Sequence, residues 1–359
     1  VSQHVPEQER TLQKNLIALA VGATIAAAPI VATQADVKLW GRFEVEVVNI
    51  DGGDFDNKWE QGDGNGMSRF GIDASKDLGN GLKAVGRYAF KMDPSNGSQL
   101  SARDQYVGLK GGWGAILLGR QPTPYKMNGG VKWDPWTATF MEARRSGGMS
   151  GDAIGHNGFV NDVIAYASPK FAGIKFQVGY IADENATNNG TSGAANGTGL
   201  IGGTGVWGPV EVIAAYHNYR NRGVEDLEIE GGEDVKQMKA GIRWKGAGLT
   251  AAYQFEDVDA GGSVRINGNR VVRQLGEGKF NFINLGYKFG NTLIAGNWGA
   301  FSADGDGPKS DVDYWTIGAK YYFAKKVSSY IGYAETKVKP DNIEDTKYKL
   351  FGVGMRYDF

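Results

Sequence analysis

The sequence predicts an all-β protein, a transmembrane antiparallel β-barrel of about sixteen strands that follows a cleaved signal peptide. Three observations carry the prediction. Apolar and polar residues alternate with period two through much of the chain, short and long connections alternate, and an apolar run near the N-terminus ends in small residues.

That run comes first. From Lys14 the chain reads KNLIALAVGATIAAAPIVATQA, a basic start, an apolar centre and small residues at its end, which is the pattern of a secretory signal. Cleavage after Ala35 divides the chain into an N-terminal extension and signal peptide, 1–35, and a barrel, 36–359. A membrane-anchoring helix is the other reading of this run, disfavoured by its short length and by Pro29. Residues 1–11 are polar, unlike the start of a signal, and no function rests on them.

Beyond it, the strands are read from alternation. Val37, Leu39, Gly41, Phe43, Val45 and Val47 interleave with Lys38, Trp40, Arg42, Glu44 and Glu46. Successive strand residues face opposite sides, so one face suits lipid and the other water. Leu82 to Lys91 and Phe351 to Phe359 repeat the pattern, and no later stretch is apolar for long enough to form a spanning helix. Outward aromatic residues near the expected strand ends, Phe43, Tyr88, Phe90, Tyr106, Tyr287, Phe289, Tyr321, Phe323, Tyr357 and Phe359, fit interface girdles.

The connections set the strand number. Short turns marked by glycine, proline or charge fall at 77–81, 111–114, 169–173, 208–209, 246–248, 290–291 and 324–326. Longer polar segments lie between them, at about 51–65, 93–101, 122–160, 183–197, 220–234, 258–277, 303–310 and 339–346. Seven turns and eight loops join sixteen strands, an even count that lets an antiparallel sheet close. Closure matters because an open edge in hydrocarbon leaves backbone groups without partners, at several kcal/mol each.

Composition agrees with this architecture. The 359 residues include 55 glycines and 10 prolines, and a mean hydropathy of −0.36 is compatible with a barrel in which only alternate residues meet lipid. Without cysteine, thiolate metal sites, disulfides and cysteine nucleophiles are excluded. A balance of 39 basic against 40 acidic residues argues against nucleic acid as a partner.

Several segments resemble the trimeric general-diffusion porins of Gram-negative outer membranes: Arg69-FGIDASKDLGNGLKA, Arg103-DQYVGLKGGWG, Leu118-GRQPTP, Ala165-YASPKFAG, Ile317-GAKYYFAKK and Gly352-VGMRYDF, in family order over nearly all of the region after 35. The resemblance implies a homotrimer embedded among outer-membrane lipid and lipopolysaccharide. It also implies recognition by the barrel-assembly machinery through the terminal Phe359, and a third loop folded into the barrel as a constriction, acidic residues on that loop facing a row of wall arginines.

On that pattern the basic side of the constriction carries over to Arg42, Arg69 and Arg103, each at its motif position. Arginine suits the role because its planar head stays protonated at any working pH. The constriction loop is the longest interior connection, about 121–161, and departs from the family's better-known loop patterns. Its acidic candidates are Asp134, Glu142 and Asp152, while Arg144 and Arg145 add positive charge. The implied function is a water-filled channel for passive diffusion of ions and small hydrophilic solutes, with a weak lean toward anions.

Three rival functions are weighed against it. An outer-membrane enzyme needs a nucleophile and base within reach, yet His4 precedes the signal, and His156 and His217 have no Gly-x-Ser-x-Gly companion, so no catalysis is expected. A substrate-specific channel and an adhesin stay open. No cofactor is expected; the Asp51-GGDFD and Asp304-GDG turns have the oxygen chemistry for calcium but lack the twelve-residue spacing.

Overall fold

The computed structural model describes residues 35–359 except 63–67, 98–99, 148, 150–157, 183–197, 221–233, 260–263, 268, 273–274 and 306–308. The segment read as a signal peptide, 1–34, lies outside the described residues, as does Asp152.

The strands run in chain order as β1 (Asp36–Gly52), β2 (Phe55–Gly62), β3 (Arg69–Gly79), β4 (Leu82–Lys91), β5 (Ser101–Gly111), β6 (Gly114–Pro122), β7 (Phe159–Ala167), β8 (Ile174–Ile181), β9 (Gly199–Trp207), β10 (Val210–Arg220), β11 (Asp234–Gly246) and β12 (Leu249–Val258). The hairpin strands β13 (Val264–Ile266) and β14 (Asn269–Val272) stand apart. Then follow β15 (Gly278–Phe289), β16 (Thr292–Ala303), β17 (Ser310–Ala324), β18 (Val327–Pro340) and β19 (Thr346–Asp358).

Every pairing in the large sheet is antiparallel, and β1 pairs with β19 on one edge and with β2 and β3 on the other, which closes the barrel. Because β2 and β3 share one position, the barrel has sixteen. Those sixteen positions fall where the turn pattern put them. The first loop differs, since β1 runs on to Gly52 and β2 begins at Phe55, so most of 51–65 is hairpin rather than loop. Likewise the 258–277 connection carries the β13–β14 hairpin.

Sequence alternation translates into an apolar outer belt. Ile283, Leu285, Ile294, Ile317, Ile331, Val353 and Met355 are exposed on neighbouring strands, as lipid-facing residues are. Aromatic rings collect at the short-turn rim, where Tyr287 meets Phe289, Tyr321 meets Phe323, and Phe359 stacks on Phe43 at 5.5 Å. At the opposite rim Trp298 and Trp315 are direct cross-strand neighbours, and Trp315 packs on Tyr333.

Tyr106 corrects the girdle assignment. A register shift between Tyr88 and Phe90 places two residues of β5, Arg103 and Asp104, opposite the single Ala89 of β4, and this bulge moves the phase of the rest of the strand by one. Tyr106 then pairs with the inward Arg87, whose guanidinium lies 6.0 Å from the Tyr106 ring, while Val107 turns outward.

Part of the interior is dry. Inward residues of β1 and β15–β19, among them Val48, Ile50, Phe282, Tyr314 and Leu350, join Trp136, Phe140, Met141 and Met149 of the long 123–158 connection in one buried cluster. Val264, Ile266 and Leu275 from the second long connection cap it. Wall glycines form the seats for this loop: a Cβ at Gly241 would lie 2.7 Å from the Trp133 ring, one at Gly318 2.9 Å from Trp136, and one at Gly332 within 2.7 Å of two Met141 atoms. Ring and thioether reach the wall because no side chain stands there.

Candidate pore constriction

The long connection enters the barrel through a sequence of local stops. Thr123 caps a single helical turn, Pro124–Met127, its hydroxyl accepting from the Lys126 amide at 3.1 Å, with proline at the start where no N–H is needed. A 3₁₀ turn, Gly130–Lys132, and a second helical turn, Ala143–Ser146, follow. Such short pieces have little stability of their own, so the wall holds them.

Wall strands all around one side donate or accept. His217 Nε2 of β10 accepts from the Tyr125 amide (3.1 Å), and Gln254 of β12 accepts from Gly130 (2.5 Å). Lys320 of β17 donates to the Pro135 carbonyl (2.8 Å), and Thr336 of β18 to that of Ser146 (2.8 Å). Tyr314 donates to the Met141 carbonyl, and Glu46 of β1 accepts from the Phe140 amide (3.1 Å). The loop is thereby drawn toward β10–β19 and β1. Cavities of about 760 and 500 Å³ lie on the other side, against β3–β9.

At the edge of that space basic groups gather. Arg42 and Arg69 are direct cross-strand neighbours on β1 and β3. Arg103 joins them because the bulge turns it inward, and each of the three acts electrostatically on at least one of the others. Lys132, an exposed side chain, comes from the loop itself: partial loss of surrounding water within the barrel, then Arg69, Arg103 and Arg42, pull its pKa below the ordinary lysine value. Arg42 Nε binds Asp358 at 2.6 Å, and Arg103 approaches Asp104 at 3.9 Å. Among the described residues neither Arg69 nor Lys132 has a carboxylate within salt-bridge distance.

The loop acids point elsewhere. Asp134 is 6% exposed, and its carboxylate accepts from the Trp136 amide (2.8 Å), the Ala143 amide (2.8 Å) and Asn297 of β16 (2.7 Å). Burial raises its pKa to about 6 despite those donors. Glu142 is fully buried and pairs with Arg144 at 3.2 Å and Arg145 at 4.0 Å. Arg144 lies within electrostatic reach of Arg103, so this part of the loop also adds positive charge to the space.

Sequence reasoning missed Lys132 and two further cations. Arg103, Arg120 and Lys126 approach the single ring of Phe159, at 4.7, 5.9 and 4.3 Å from its centre. Arg120 stands inside a family-like segment, Leu118-Gly-Arg, which was a usable signal; nothing in the sequence marked the direction of Lys132. Of the aspartate-rich turns, Asp51 faces Lys349 at 3.8 Å and Asp304 faces Lys279 at 2.5 Å.

A closed antiparallel barrel with an apolar outer belt, aromatic rims and a loop folded against its inner wall defines an outer-membrane β-barrel. The model of the Gram-negative porin family matches residues 16–341, and the chain belongs to that family. It is 27% identical to the major outer membrane protein P.IB of Neisseria meningitidis, an alignment covering 97% of this chain and all of that protein. Among solved structures it is similar to an anion-selective porin from Comamonas acidovorans, with a TM-score of 0.70 and 20% identity over 91% of this chain and all of the other. The outer-membrane protein OmpT of Vibrio cholerae, in a trimer form, gives a TM-score of 0.64 and 16% identity, covering 91% of this chain and all of that one. The protein resides in the outer membrane.

Proposed function

We propose that the chain forms a water-filled channel for passive diffusion of ions and small hydrophilic solutes, with preference for anions. The observation that carries this reading is the imbalance of charge at the constriction. Arg42, Arg69, Arg103 and Lys132 meet there, whereas Asp134 and Glu142 spend their charge on the loop's own amides and on Arg144 and Arg145. Fixed cations around a narrow aqueous passage favour anions and repel cations. The opposed acidic row that the family resemblance implied is replaced in this reading by cations on both sides.

The Vibrio cholerae neighbour supports assembly as a homotrimer, and a secretory signal in 1–35 supplies export. The terminal Phe359, paired through its backbone with Gly41 at 3.0 and 3.2 Å, is proposed as the mark read by the barrel-assembly machinery; lipopolysaccharide and lipid cover the outer belt. No catalytic step belongs to this function.

Single-channel recording in a planar bilayer under a potassium chloride gradient tests it. Conductance steps in threes with a reversal potential on the chloride side are the expected result. A silent bilayer with verified folded protein, or a potassium-side reversal potential, overturns it.

A further inference from the structure

The inward face of a water-filled barrel is ordinarily polar, and on β4–β7 this one carries an apolar strip between charged residues. Register fixes which residues share that face: Val85 of β4 stands beside Gly108 of β5, which stands beside Leu117 of β6; Ala115 of β6 stands beside Ala167 of β7. Together with Tyr106, which the bulge turns inward, Val85, Ala115, Leu117 and Ala167 line the cavity of about 760 Å³ on the short-turn side of the arginine cluster. Exposed lysines, Lys38, Lys110, Lys170 and Lys175, ring the same cavity. Its two acids offset little of this charge: Asp73 is held by Arg87 through two bonds of 2.7 Å and accepts from Trp40 at 3.0 Å, which leaves Asp36.

We propose that this cavity is a subsite for amphiphilic carboxylates, monoanions with an apolar body of about six carbons, which lay that body on the Val85–Leu117 strip and the carboxylate among the lysines. The inference rests on the anion-channel reading and adds a preference that charge alone does not supply. A cavity of several hundred cubic ångströms with an apolar wall and a few charged groups has the form of a small-molecule site. Apolar wall contact releases water from the solute's hydrocarbon part, and the lysines repel cations and give a carboxylate an attraction that a neutral hydrocarbon lacks. Small residues such as Ala115, Ala167 and Gly108 keep the passage wide enough for the solute to lie along the wall.

Hexanoate and gluconate separate this from sieving, since both are six-carbon monocarboxylates and only one is apolar. Chloride current through the full-length protein in a planar bilayer is recorded while either sodium salt is added at the short-turn side. The expected result is saturable reduction of the chloride current by hexanoate and none by gluconate at equal concentration. Leu117→Asn and Val85→Asn, made separately so that one misfolded variant does not decide the matter, each weaken the hexanoate effect about fourfold, the change expected for losing one methylene's worth of apolar burial. Equal effects of the two anions on the wild type, or a hexanoate effect undiminished in both folded variants, overturns the proposal. Failure of the anion-channel reading looks different, as a potassium-side reversal potential before any carboxylate is added.

Discussion

Arg356 grips Glu44 through two parallel bonds, Nε to Oε2 at 3.0 Å and Nη2 to Oε1 at 2.7 Å, and the same Nη2 donates to the Thr137 carbonyl at 2.8 Å. One guanidinium thus ties the seam where β1 meets β19 to the loop that narrows the pore. Tyr330 completes the knot by donating to Glu46 at 2.8 Å, and Glu46 accepts from the loop amide of Phe140. Only arginine fits this place, because a lysine ammonium cannot serve both carboxylate oxygens and a carbonyl from one planar fork.

Glu44→Gln leaves Arg356 buried without its counter-charge. Breaking a buried pair by removing one partner costs about 3–5 kcal/mol. Thermal unfolding in detergent is expected at lower temperature, and open-channel current noise is expected to rise as the loop loosens. Arg356→Lys, which keeps the charge and loses the fork, should show the noise with a smaller stability loss.

The glycine seat at Gly318 is expected to set the pore's width. A Cβ there would lie 2.9 Å from two atoms of the Trp136 ring, so Gly318→Val forces the ring, and with it the loop, toward the lumen. Overpacking of this kind costs about 1–3 kcal/mol. Single-channel conductance should fall in a variant that still assembles; unchanged conductance would mean that the loop repacks without entering the passage.

Charge reversal at the constriction is expected to move selectivity. Arg69→Glu and Lys132→Glu each replace a cation that has no carboxylate within salt-bridge distance among the described residues, and each place a carboxylate in the cluster with Arg42 and Arg103. The zero-current potential in a potassium chloride gradient should shift toward potassium in each variant, and further in the double variant. A shift confined to Arg69→Glu would place Lys132 outside the ion path.

Anion preference should also depend on pH through Lys132. Its depressed pKa means that the ammonium loses its proton below the ordinary lysine range, and the neutral amine removes a positive charge from the constriction. Selectivity for chloride is therefore expected to weaken as pH rises into the alkaline range. Lys132→Gln should flatten that part of the profile.

Asp134 makes stability depend on pH. Its pKa, raised to about 6 by burial, lies above the value in the unfolded chain, so its contribution is fully present below the ordinary aspartate pKa and is lost as pH rises through about 6. The span corresponds to ~3 kcal/mol. Unfolding free energy measured from pH 4 to 7 should fall over this window, and Asp134→Asn should remove that slope.

The barrel was legible because its signals are local. Alternation shows at every second residue, and turn chemistry marks each chain reversal, so the positions of β3–β8 and β15–β19 follow from short stretches read separately. Alternation failed where a register shift intervened: counting through Arg103 and Asp104 placed Tyr106 among the lipids, and only the pairing of β5 with β4 reveals the extra residue. The inward apolar residues of β1 and β15–β19 also escaped notice, since an apolar row facing a loop looks the same in sequence as one facing lipid.

By itself, then, the sequence determined a porin-like barrel, its strand number and the strand faces that carry Arg42 and Arg69, because a strand's two faces are set by residue parity alone. Tertiary structure decided what the constriction is made of. Asp134 and Glu142 could have faced the lumen or the loop, and the donors that meet them, Ala143, Trp136, Asn297 and Arg144, come together only after the loop has settled onto glycine seats more than a hundred residues away. A side chain in a long connection takes its direction from the wall it lands on, and that wall is absent from the local sequence.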